Sequence, residues 1–134
     1  MITNVFINLS TKDLNKTRVF MEALGWKINS QFSDDTAISV VISENIYAML
    51  LTEAKMKQFT TKSLVDASQA TEAINALSVD SKQAVDELVN KAVGAGAKEL
   101  DREQYDFMKV RAFEDLDGHI WEVLWMDPSF VKPE

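Results

Sequence analysis

No cysteine occurs in the 134 residues, which excludes disulfides, thiolate metal sites and cysteine nucleophiles and suits a reducing compartment. With one histidine, His119, no histidine-based nucleophile system can be assembled. Only four glycines are present, each at a turn or helix stop, and no glycine-rich phosphate loop, Gly-x-Ser-x-Gly elbow or His-Glu-x-x-His pair occurs. No apolar run is long enough to cross a bilayer, and Met1–Phe6 lacks the basic-then-apolar order of a signal peptide. A cytoplasmic protein without a membrane partner is therefore expected. Basic residues are outnumbered 14 to 21, a net charge of −7 that repels nucleic acid and tolerates a cationic ligand.

What is present is the composition of a globular domain, 46% hydrophobic and 26% charged. The pattern along the chain occurs twice. Val5–Leu9 reads as a strand, and Asp13–Leu24 takes helical spacing, with Leu14, Thr17, Met21 and Leu24 on one stripe and Gly25 as the stop. Strands are predicted at Trp26–Phe32, Ala37–Ser43 and Ile46–Thr52. A second strand–helix–three-strand series follows: Ala73–Val79, a helix opened by Asp80-Ser81-Lys82-Gln83 and closed by Gly94 and Gly96, then Lys98–Glu103, Phe107–Glu114 and His119–Trp125. Asp117-Gly118 is the strongest hairpin signal. The reading is one domain over residues 1–134. Module one covers about 1–52, a linker or lid 53–71 carries a short helix near 61–67, module two covers about 72–126, and a tail of 127–134 contains Pro128 and Phe130.

In each module a helix can cover one face of a twisted sheet, and the other face is left to line a trough. Strand alternation puts Val5, Ile7 and Leu9 under the helix and Phe6, Asn8 and Ser10 in the trough. In the last strand it puts Trp121, Val123 and Trp125 under the helix, leaving Ile120, Glu122 and Leu124 for the trough. Glu122 is the polar residue of an otherwise apolar strand, suited to anchor a ligand, or else to pair with Arg111 on the neighbouring strand. Arg111 offers a planar fork for a carboxylate or phosphate. His119 alternates away from Glu122 and reads as a hairpin residue.

The segments Phe6-Ile7-Asn8-Leu9-Ser10-Thr11-Lys12-Asp13-Leu14, Leu24-Gly25-Trp26, Ala76-Leu77-Ser78-Val79-Asp80 and Glu114-Asp115-Leu116-Asp117-Gly118-His119-Ile120-Trp121-Glu122-Val123 together resemble the vicinal oxygen chelate superfamily. Its members include glyoxalase I, extradiol dioxygenases, fosfomycin-modifying enzymes and bleomycin-resistance proteins. The resemblance implies an α+β fold of two tandem βαβββ modules forming a cupped mixed sheet, a small-molecule ligand and a homodimer. It places Phe6, Leu50, Ile74 and Glu122 at the four positions where metal-using members carry histidine or glutamate. Three of these side chains offer no lone pair, so no metal cofactor is expected. The expected ligand-binding set is Phe6, Asn8, Leu50, Ile74, Arg111, Glu122 and Leu124. The function implied is metal-independent binding of an apolar or cationic molecule. The alternative is a glyoxalase-like lyase or isomerase with Glu122 as proton shuttle.

Overall fold

A computed structural model describes residues 1–130 of the chain. Two compact units divide it, Met1–Asp66 and the residues from Ala67 onward, and the division falls inside the segment read as a linker. Unit one runs β1 (Val5–Thr11), α1 (Leu14–Ala23), β2 (Lys27–Ile28), β3 (Ala37–Ser43), β4 (Ile46–Thr52) and a short α2 (Glu53–Met56). Unit two runs β5 (Ile74–Ser78), α3 (Lys82–Gly94), β6 (Lys98–Leu100), β7 (Met108–Glu114) and β8 (Ile120–Met126). Each unit holds a four-stranded mixed sheet, ordered β1-β4-β3-β2 in one and β5-β8-β7-β6 in the other. The outer pairs β1–β4 and β5–β8 are parallel and the remaining pairs antiparallel. This is the α+β arrangement of two βαβββ modules read from the sequence.

Helix placement follows from capping and from apolar phase. Asp13 accepts a hydrogen bond from the Lys16 N–H at 3.0 Å and Ser81 one from Ala84 at 3.0 Å, each satisfying a donor that the first helical turn leaves unpaired. Phe20, Met21 and Leu24 of unit one, and Val85, Val89 and Ala92 of unit two, are buried against their sheets. Gly25 and Gly96, at φ of 90° and 109°, end the two helices in the left-handed conformation.

Three expected elements differ. The strand Trp26–Phe32 is cut to Lys27–Ile28, because Asn29 caps a 3-10 turn over Ser30–Phe32 by accepting from the Gln31 N–H. The linker helix forms over Glu53–Met56, capped by Thr52, and not over 61–67, where the Thr60 hydroxyl accepts from the Lys62 N–H and holds a turn. The strand Lys98–Glu103 stops at Leu100, with consequences for the site. In the tail, Phe130 packs on its own unit, its ring stacked on Phe107 at 4.2 Å. Residues 131–134 lie outside the described residues.

The β7–β8 hairpin is set by Asp115 and Gly118. Asp115 is buried, and its carboxylate accepts from the N–H groups of Asp117, His119 and the Trp121 indole, all at 3.0 Å. Burial pushes the Asp115 carboxyl up from its ordinary value, while the charge of His119 and these donors pull it back. Gly118 has φ of 95°, and a Cβ there would lie 2.6 Å from the Ala67 carbonyl oxygen. Gly118→Ala is therefore expected to cost about 2 kcal/mol or more in chemical denaturation. Gly94→Ala, with no atom within 4 Å of its Cβ, should be neutral or stabilising by up to about 1 kcal/mol. Equal effects of the two substitutions would refute this account of the turn.

Candidate functional site

Strand register settles which side chains share a face. In unit one Phe6, Asn8 and Ser10 stand in register with Tyr47, Met49 and Leu51, whereas Ile7 and Leu9 align with Ala48 and Leu50. The second set lies under α1. Thr11, of the same phase, shares a hydrogen bond with Thr17 of the helix at 2.7 Å, and Ile38, Val40, Ala48 and Leu50 are fully buried. Phe6 (54% exposed) and Asn8 therefore belong to the face that α1 leaves uncovered, as the sequence predicts. The Phe6 ring stacks on Tyr47, with centroids 4.8 Å apart.

Leu50 does not join them. It is fully buried on the helix side, so its place in the expected ligand set is one residue out of phase. The face of β4 turned away from α1 carries Tyr47, Met49 and Leu51 instead, and of these Leu51 is itself buried.

In unit two Ile74, Ala76 and Ser78 align with Ile120, Glu122 and Leu124 on one face, and Val110 and Ala112 share it. Lys109, Arg111 and Phe113 align with Trp125, Val123 and Trp121 on the other. Arg111 marks the second face as the helix side. Its guanidinium reaches Asp86 at 2.9 Å and Asn90 at 3.0 Å on α3, and is held in a fork by Glu99 at 2.9 and 2.8 Å. Arg111 thus neither faces the uncovered sheet nor pairs with Glu122. It is a structural arginine, kept protonated first by its hydrogen bond to Glu99 and then by Asp86. Ile74, Glu122 and Leu124 are brought together on one face, with Ile74 52% exposed.

Glu122 has a partner that the sequence reading missed. Beyond Leu100 the chain leaves the ladder, and the Arg102 Nε–H donates to Glu122 Oε2. The two side chains are 24% and 22% exposed. The loop is tied down by Arg102 to the Asp101 carbonyl at 2.8 Å and by Gln104 to the Val110 carbonyl at 3.1 Å. A run of Asp101-Arg102-Glu103 inside a supposed strand was the available signal, since three successive charges suit a loop better than a half-buried ladder.

A family model described as the Glyoxalase/Bleomycin resistance protein/Dioxygenase superfamily matches residues 5–123. The chain belongs to that superfamily. Among solved structures, a hypothetical protein from S. aureus is 28% identical, with a TM-score of 0.77 over 93% of this chain and 94% of that one. A glyoxalase-related enzyme from Fulvimarina pelagi is 20% identical, with a TM-score of 0.77 over 93% and 88% of the two chains. A genomically encoded fosfomycin resistance protein from Listeria monocytogenes is 19% identical, with a TM-score of 0.68 over 100% and 97%. No curated protein is significantly similar in sequence.

The residues at the superfamily's metal positions do not suit a divalent ion. Phe6 and Ile74 present hydrocarbon, Met49 and Leu51 beside Leu50 on the face that α1 does not cover offer at most a thioether, and Glu122 is engaged by a guanidinium. Elsewhere Asp115, Asp117 and His119 bring ligand-type atoms within 4.8 Å of one another. There, however, both oxygens of Asp115 already accept the N–H groups that build the hairpin.

The Arg111 cluster gives a pH signature with a definite sign. The carboxyl of Asp86 is lowered from 3.8, first by Lys109 and then by Arg111, and that of Glu99 is lowered from 4.5 by Arg111. Carboxyls lowered by folding add stability above their ordinary values, and that stability is lost as pH falls through the lowered ones. Arg111→Met is expected to cost about 1–2 kcal/mol near neutrality, partly screened because Asp86 and Glu99 are each 41% exposed. Urea denaturation across pH should show the gap to wild type closing below pH 3.8. A gap independent of pH would contradict the assignment.

Proposed function

We propose that this superfamily member is a metal-independent small-molecule-binding protein of the glyoxalase/bleomycin-resistance class. Its ligand, apolar or cationic, lies on the sheet face opposite the helices, with Glu122 as polar anchor. The observation that carries this reading is the Arg102–Glu122 pair on an otherwise apolar face of Ile74, Ala76, Ile120 and Leu124. Apolar surface with few oriented polar groups is the usual make-up of a ligand site. In unit one the Phe6–Tyr47 stack with Asn8 and Met49 supplies a second surface of this kind. A cationic ligand competes with Arg102 for Glu122, so its affinity depends on displacing a guanidinium that is already desolvated in part. The hydrocarbon side chains of Phe6 and Ile74 at two of the metal positions support a ligand held without a metal ion. A cytoplasmic homodimer completes the proposal. Among the described residues no helix is long and apolar enough to cross a membrane.

Arg102 also favours a second reading, a lyase or isomerase of the glyoxalase type. A guanidinium beside a carboxylate can stabilise a developing oxyanion while Glu122 moves a proton.

The test is a panel of amphipathic cations and matched neutral analogues, read by backbone NMR at Ile74, Ala76 and Leu124. Saturable shifts at these amides that survive excess chelator, and about tenfold weaker binding of the cations in Glu122→Gln, are expected. Tight one-to-one binding of nickel, zinc or manganese, or loss of ligand with chelation, would overturn metal independence. Turnover of a thiol–aldehyde adduct that Glu122→Gln abolishes would establish the enzyme reading in its place.

A further inference from the structure

An open surface cavity of about 570 Å³ is lined by Gln104, Tyr105, Asp106, Phe107, Asp127 and Phe130. It is built by the β6–β7 loop and the turn after β8, joined where the Asp127 N–H donates to the Phe107 carbonyl at 2.8 Å. Three aromatic rings meet there. Phe107 stacks on Phe130 at 4.2 Å with 11° between planes, and Tyr105 is tilted by 37° against Phe107 at 5.5 Å. Tyr105 and Phe130, 44% and 57% exposed, leave part of this aromatic cluster open to solvent and to a ligand.

The charged groups that line it are of one sign, with Gln104 as a neutral neighbour. Asp106 and Asp127 line the cavity, and Glu103 accepts from the Tyr105 hydroxyl at 3.3 Å. Asp127 is fixed by accepting from the Ser129 hydroxyl at 2.7 Å and the Ser129 N–H at 2.9 Å, and these bonds hold its carboxyl below the usual range. The lysine that acts on Asp127, Lys82, lies over the Trp125 ring at 5.3 Å and is not part of the cavity wall. Ring faces carry a negative quadrupole, so aromatic walls and carboxylates select the same ligand charge.

We infer that this aromatic and acidic cavity binds a small organic ammonium ion, its alkylated nitrogen against the rings of Tyr105, Phe107 and Phe130 and its charge balanced by Asp106 and Asp127. The site shares no residue with the Glu122 face and does not rest on the function proposed for it. Anions are repelled by both carboxylates. A neutral ligand of the same shape gains the apolar contact and loses the attraction to the rings and the acids.

The pair of probes that separates these cases is choline and its uncharged isostere 3,3-dimethylbutan-1-ol. Each is titrated into the full chain at constant ionic strength and followed at the amides of Tyr105, Phe107 and Ser129. Choline should give saturable shifts there, and the alcohol should bind at least about tenfold more weakly. Asp106→Asn and Phe130→Leu should each weaken choline about tenfold. Both residues are exposed, so neither substitution removes core packing. An equal response to the alcohol, absence of saturation, or choline binding indifferent to both cavity substitutions would overturn the inference. Choline shifts confined to the amides of Ile74, Ala76 and Leu124 would do the same, by assigning the ammonium to the sheet face.

Discussion

A β-strand turns its side chains alternately to two faces, and in each unit one helix is available to cover one of them. That constraint determines the position of every strand side chain considered for function. On the helix side the cores close fully at Ile38, Val40 and Leu50 in unit one, and at Phe113, Trp121 and Val123 in unit two. The helix side also absorbs charge when a strand arginine falls in that phase, which is why Arg111 carries three partners from α3 and β6. The other face keeps what the helices do not claim: Phe6 and Asn8 in one unit, Ile74 and Glu122 in the other.

The Arg102–Glu122 contact follows from the same constraint. A lone carboxylate on an apolar, partly buried strand face is costly unless it is paired. β6 ends after three residues, and the chain that leaves it delivers Arg102 to that carboxylate. The loop thereby fixed also places Tyr105, Asp106 and Phe107 beside the end of β8. One ion pair thus links the polar anchor of the sheet face to the geometry of the neighbouring cavity.

Much of this was legible in the sequence because the signals were local. The helix start at Asp80-Ser81, Gly25 and Gly96 as stops, Asp117-Gly118 as a turn, and β3 and β4 to the residue all follow from propensity and period. The face assignments of Phe6, Asn8, Glu122 and Leu124 followed from alternation alone. Leu50 was misplaced because family correspondence was counted along β4 without its register, and a slip of one residue reverses the face. Arg102 was missed because its partner is 20 residues away, and a contact between a loop and a strand leaves no periodic trace. The helix expected near 61–67 failed because hydroxyl-to-backbone bonds at Thr52 and Thr60 compete locally with helix propensity.

The central claim is that Glu122 stands on the uncovered face with Arg102 as its partner. The chain has three arginines, so their Nε–H groups can be resolved individually by NMR. Hydrogen exchange of these groups is the direct measurement, made on wild type and on Glu122→Gln. The account predicts protection at Arg102 and Arg111 in wild type, with selective loss at Arg102 in the variant. An Arg102 Nε–H that exchanges freely in wild type, or is untouched by the substitution, would contradict it.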